Sequence, residues 1–163
     1  MTRRDEILGV AESLLESEGF AALTMRRVAE EMGIRAPSLY KHVTSKDDIE
    51  AGLQERALRD MAVALAPAGT DLMAIMAAYR RWAMARPALY ELATRRPLRR
   101  DVISAEVEAA TAAPLVAAAG GEEHRARALW ALAHGLVDLE LAGRFPPGAD
   151  LDQTWRAALT PFL

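Results

Sequence analysis

The 163 residues contain no cysteine, which excludes a disulfide framework, thiolate chemistry and a Cys-ligated metal. Aromatic residues are only 6% of the chain; β-branched residues are also few, and no long run alternates apolar with polar. Those absences argue against strands. Alanine and leucine dominate instead, both strong helix formers, so the class predicted is all-α. Although 52% of the residues are apolar, no apolar stretch is long enough to cross a membrane. The start Thr2-Arg3-Arg4-Asp5-Glu6 also lacks a signal peptide's apolar core. The expectation is a soluble, cytoplasmic protein with no membrane partner, long enough for a sizeable core and for one or two closely packed domains.

Catalytic signatures are missing too. No nucleophile elbow, P-loop, glycine fingerprint or His/Cys metal spacing occurs, and the three histidines (His42, His124, His134) are scattered. His134 and Asp138, four residues apart, form the one suggestive pair, and a buried hydrogen-bonded pair accounts for them without chemistry. No enzyme activity, cofactor or metal is therefore expected.

A formal charge of −3 gives no global argument for a nucleic-acid partner, yet the balance reverses locally. Between residues 24 and 46, five cations (Arg26, Arg27, Arg35, Lys41, Lys46) stand against two acids (Glu30, Glu31), a net of +3. Acids crowd the flanks. A small basic face on an acidic body suits one side of a duplex, with limited non-specific affinity. Lys41 and Lys46 are the chain's two lysines, and both fall where phosphates are expected.

The same stretch reads as two short helices joined by a tight turn. Thr24 is a good N-cap, and Val28, Ala29 and Met32 fall on the inward side of the helix it starts. Gly33 sits where the chain must take a positive φ to leave that helix. Pro37 suits the first turn of the next helix, where its missing N–H costs nothing. That second helix, roughly 37–43, is too short to stand alone and must be held by its neighbours. Its exposed face offers Ser38, Tyr40, Lys41 and His42 to phosphates or base edges. The pattern is a helix-turn-helix, with the second helix the candidate for the major groove.

The run Gly19-Phe20, Leu23-Thr24, Val28-Ala29, Gly33, Leu39-Tyr40, His42-Val43 and Ser45-Lys46 resembles the DNA-binding domain of the TetR family of bacterial transcriptional regulators. The resemblance covers about the first 50 residues. It implies DNA contacts from Thr24, Arg26, Arg35, Pro37, Ser38, Tyr40, Lys41, His42 and Lys46. Val43 stands where an aromatic is common, and Ala36 near a position that can carry a base-contacting side chain; both bear on which operator is read.

The rest of the chain reads as further helices, about nine in all. The first runs over 3–18, with Ile7, Val10, Ala11, Leu14 and Leu15 on one face; Arg3 and Arg4 at its start are expected to be solvated. Ser45 through Asp48 has the capping-box shape and starts a long fourth helix that ends near Ala66. Asp71 caps a fifth helix. Pro87 opens a short sixth over 88–94, followed by Arg95, Arg96, Arg99 and Arg100, a cluster expected to be solvated or paired with acids. A seventh helix is expected from Asp101, kinked or broken at Pro114 and closed by Gly120-Gly121. The eighth, over 122–145, is apolar nearly all round and needs cover on more than one side. Its Ala131, Gly135 and Ala142 form a small-residue stripe that would let another helix approach. Asp150 caps the ninth, with Leu151, Trp155, Ala158, Leu159 and Phe162 on one face. This divides the chain into a helix-turn-helix domain (1–46) and a ligand-binding and dimerisation domain (47–163).

Trp130, His134 and Gly135, with Pro87-Ala88-Leu89-Tyr90 upstream, are similar to the TetR-like C-terminal domain named for a Trp-His-Gly signature. That resemblance implies a homodimer paired through its last two helices into a four-helix bundle. It also implies a repressor released from a palindromic double-stranded operator by a small-molecule inducer, here unknown. Met61, Leu65, Met76, Tyr79, Trp82, Tyr90, Val107, Trp130 and His134 are the candidate ligand-binding residues, since methionine and aromatics suit an adaptable apolar site. A constitutive DNA-binding or interaction module with no inducer is the alternative.

Overall fold

A computed structural model describes residues 2–163. Among the described residues there are nine α-helices and no strand. They are α1 (Arg3–Glu18), α2 (Met25–Glu31), α3 (Ala36–Leu39), α4 (Lys46–Leu65), α5 (Leu72–Ala85), α6 (Pro87–Arg95), α7 (Ala105–Ala118), α8 (Glu123–Leu141) and α9 (Leu151–Leu159). None is long and apolar enough to cross a membrane. Packing divides the chain into two compact units: the described residues through 59 with 86–108, and residues 60–85 with 109–163.

Capping explains where most helices begin. The hydroxyl oxygens of Thr2 and Thr24 accept from the N–H groups of Asp5 and Arg27. The carboxylates of Asp71 and Asp150 do the same for Ala74 and Gln153. Each satisfies a donor that the first helical turn leaves open. At Ser45 the expected box forms by half. The Ser45 hydroxyl accepts from Asp48 N–H at 3.2 Å, but the Asp48 carboxylate turns one residue further back, to the Thr44 N–H at 2.8 Å.

Several boundaries differ from expectation. α3 is one turn shorter, and Tyr40 to His42 form a turn tied by the His42 and Val43 N–H groups to the Leu39 carbonyl. α7 begins at Ala105, not Asp101, because the Asp101 carboxylate is held by the Arg99 guanidinium at 2.7 and 2.9 Å and is not spent on capping. Pro114 does not break α7. It removes the bond to the carbonyl of Ala110, on an exposed side of the helix. α8 stops at Leu141 rather than near 145, since Gly143 takes φ +61° and the N–H groups of Gly143 and Arg144 close onto the carbonyls of Glu140 and Leu139.

The first unit is built around α1, α2, α3, the head of α4 and α6. Ile7, Ala11, Leu15, Val28, Leu39, Val43, Ile49, Leu53, Leu89 and Tyr90 are all buried. Val43 is fully enclosed, so its departure from the family's aromatic is a change inside the core. α6 joins this unit although it is remote in sequence. The Glu16 carboxylate of α1 accepts from the N–H groups of Ala88 and Leu89, capping a helix that gets no side-chain cap from its own N-cap residue, Arg86. In the second unit α5 lies against α8, with Ile75, Met76, Tyr79, Trp82, Leu129, Ala133, Leu136 and Val137 buried.

Candidate nucleic-acid interface

α2 and α3 are held at their turn by Gly33, at φ +66°. Its N–H and that of Ile34 bond the carbonyls of Glu30 and Ala29, which ends α2 and aims the chain into α3. Pro37 occupies the first turn of α3 as expected. Leu39 and Val43 anchor α3 inward, which turns Ser38, Tyr40, Lys41 and His42 outward, and Tyr40 is 54% exposed. Pro37 and Thr24 are exposed beside them.

The charges on this face are not equivalent. Arg26 pairs with Glu30 at 2.7 Å, and Arg27 bridges Glu18 and Glu31 at 2.5 and 2.8 Å. The carboxylates beside Arg26 and Arg27 push both guanidiniums above their ordinary value. Arg35 and Lys41 flank α3 exposed, and among the described residues no acid lies within ion-pair distance of either. Cations that are not already neutralised gain most from a phosphate. Arg35, Tyr40 and Lys41 are therefore the exposed donors of this face not held by an acid, whereas Arg26 is paired within its own helix.

Lys46 stands apart from that group. Its Nζ lies 4.1 Å from the centre of the Phe20 ring and 3.9 Å from Glu50 Oε1, and its side chain is a third exposed. Arg4, expected to be solvated, is instead structural. Its guanidinium binds Asp48 at 2.6 Å and reaches the His42 carbonyl at 3.3 Å, fastening α1 to the start of α4 and to the end of the α3 turn. The hydrogen bond from Arg4 holds the Asp48 carboxyl below its usual value, against the opposing effect of burial. The arginine cluster after α6 is acid-paired, as expected: Arg95 with Glu91, Arg96 with Glu50, Arg99 with Asp101 and Arg100 with Glu108.

The candidate ligand residues fall into three groups. Met61, Leu65, Met76, Tyr79 and Trp82 are buried in the second unit, whereas Tyr90 and Val107 are buried in the first. Trp130 is 47% exposed and stacks on His134 with ring centres 5.9 Å apart. It lies on the outer side of its helix, away from the buried Met76, Tyr79 and Trp82. Leu129, Ala133, Leu136 and Val137 take the inward side of α8, and Trp130, one residue and 100° on from Leu129, is left outside. A hollow of about 200 Å³ at the α8–α9 turn is lined by Glu140, Phe145, Pro146 and Leu151 among others, and by none of the candidates. It is smaller than the roughly 300–1,000 Å³ of a typical ligand site.

A compact helical head presenting a short second helix with exposed Tyr40 and Lys41 defines a helix-turn-helix DNA-binding protein. Comparisons with known proteins agree. Residues 7–52 match the family described as bacterial regulatory proteins, tetR family, and residues 72–162 match the tetracyclin repressor-like C-terminal domain. The chain belongs to the TetR family and is a DNA-binding transcriptional regulator. It is 35% identical over 156 residues to the uncharacterized HTH-type transcriptional regulator Rv0681 of Mycobacterium tuberculosis, covering 86% of this chain and 71% of that one. It is 36% identical over 67 residues to the class E tetracycline repressor protein of Escherichia coli, covering 41% of this chain and 32% of that one. The solved structure of the regulatory protein SCO4313 superposes with a TM-score of 0.81 at 28% identity, over 98% of this chain and 94% of that one.

Proposed function

We propose that the protein is a cytoplasmic homodimeric repressor that binds a palindromic operator and is released by a small-molecule ligand. Residues 1–46 read DNA and residues 47–163 bind the ligand and the second subunit. The observation that carries this reading is the outer face of α8. Trp130 and Leu139 are 47% and 43% exposed there, Ala131 is exposed, and a side chain added at Gly135 would meet nothing within 4 Å. An apolar face with a small-residue gap suits close approach of another helix, and a second copy supplies one by symmetry. α9 has less to offer such a contact. Its Trp155 and Leu159 are buried, and the Trp155 indole N–H donates to the Glu140 carboxylate of the same chain.

Dimerisation would set two reading helices about 34–36 Å apart, one turn of DNA. The class E tetracycline repressor is a repressor by name, and the present reading extends that role to this chain. Ligand entry would open the methionine- and aromatic-rich core of Met61, Met76, Tyr79 and Trp82. Thermal melting across a metabolite library tests the ligand, because only a compound that binds the native state raises the midpoint. A library that never shifts it favours the constitutive DNA-binding module. Light scattering at micromolar protein tests the dimer, and a monomer there contradicts the reading.

A further inference from the structure

Lys46 and Arg96 share a single carboxylate and a single aromatic ring. Arg96 Nε lies 3.2 Å from Glu50 Oε2 and its guanidinium carbon 4.3 Å from the Phe20 ring centre. The Lys46 ammonium is 3.9 Å from the other oxygen of Glu50 and 4.1 Å from the same ring centre. Two cations therefore face one anion, and the closer pair belongs to Arg96. Glu50 is nearly buried, at 9% exposure, so its charge cannot be relieved by water and must be met by these neighbours.

Arg96 is also held in place. Gln54, one turn beyond Glu50 on α4 and 2% exposed, donates to the carbonyls of Leu92 and Pro97 and accepts from the Arg99 N–H. Those bonds pin the backbone on both sides of Arg96 to α4. The other arginines of this loop are spent on acids of their own segment, Arg95 on Glu91, Arg99 on Asp101 and Arg100 on Glu108. Arg96 is instead paired with Glu50, an acid of α4.

We propose that Arg96, far from the helix-turn-helix in sequence, is a positioning residue for DNA binding: it holds the Glu50 carboxylate and so leaves the Lys46 ammonium available to a DNA phosphate. This rests on Lys46 being a phosphate contact. Without Arg96, Glu50 has Lys46 as its nearest cation, draws it inward, and sets a negative charge beside the phosphate's path. The effect is independent of base sequence, since phosphates carry none.

The test uses the full-length protein and a random-sequence DNA duplex, titrated between about 50 and 200 mM salt. Lys46→Ala and Arg96→Ala should each weaken binding about three- to tenfold and lower the salt slope by about one. Glu50→Gln alone should bind at least as tightly as the wild type. In the Arg96→Ala background Glu50→Gln should restore both affinity and slope. Arg96→Met, which keeps the stem on Phe20, repeats the test if a thermal melt shows the alanine variant loosened. Wild-type binding by Arg96→Ala while Lys46→Ala is weakened overturns the proposal. So does a loss that Glu50→Gln fails to rescue, which would make Arg96 itself a phosphate ligand or a structural prop. Wild-type binding by Lys46→Ala overturns the phosphate role of Lys46, and the proposal with it.

Discussion

Glu16 of α1 and Leu89 of α6 are joined by a 2.8 Å hydrogen bond from the Leu89 N–H to the Glu16 carboxylate, across 73 residues of sequence. A second bond, from the Ala88 N–H at 3.3 Å, completes a cap that α6 cannot make for itself. The negative charge also faces the positive end of the α6 dipole. Glu16→Ala should destabilise the first unit by ~1–2 kcal/mol, and Glu16→Gln by less, because an amide oxygen still accepts. Denaturant titration of the two variants checks the order; equal losses would show that the cap is not what Glu16 supplies.

Gly52 and Gly135 should respond to alanine with opposite signs. A Cβ on Gly52 would lie 2.8 and 2.9 Å from the methyls of Leu8, a residue of α1 that is itself buried. Overpacking there should outweigh the helix-propensity gain of about 1 kcal/mol and leave a net loss of ~1–2 kcal/mol. Gly135 has open space before it, so Gly135→Ala should stabilise an isolated subunit by up to ~1 kcal/mol. If a second copy packs there, the same change weakens the dimer. Thermal melts with light scattering across a dilution series separate the two effects, and a Gly135→Ala protein that dimerises like the wild type argues against α8 as the subunit contact.

Much of this was legible in the chain, and the misses have physical causes. Thr24, Gly33, Pro37, Asp71 and Asp150 announced their roles because capping and positive φ are local requirements, written within three or four residues. Gly143 carries a C-terminal signal of the same kind, just after the last apolar residue of α8. That signal ends the helix before residue 145. Arg4, Glu16, Gln54 and Arg96 were not legible, because each acts on a backbone or carboxylate some 40 to 70 positions away and periodicity is silent at that range. The inward side of α8 was ambiguous for a different reason. A helix apolar nearly all round shows no single stripe, and only packing against α5 selects Leu129 over Trp130.

Acid should release the brace between α1 and α4. Arg4 and the Thr44 N–H hold the Asp48 carboxyl below its usual 3.8 in the folded protein. Since the folded value lies below the unfolded one, this stabilisation is present above the ordinary Asp range and is lost as pH falls through the folded value. Asp48→Asn should therefore lower the melting midpoint at pH 7, and its midpoint should fall less steeply than the wild type's below about pH 4. Parallel acid limbs for the two proteins would contradict the assignment.

If α3 is the reading helix, one binding measurement shows it directly. The DNA flanking the protein's gene is footprinted with the wild type and with Tyr40→Ala and Lys41→Ala at physiological salt. The expected result is protection of an inverted repeat by the wild type. Each variant should lose ~1–3 kcal/mol of binding there, with helical content and subunit mass unchanged. Both variants protecting the same repeat as tightly as the wild type would contradict the placement of α3 in the groove.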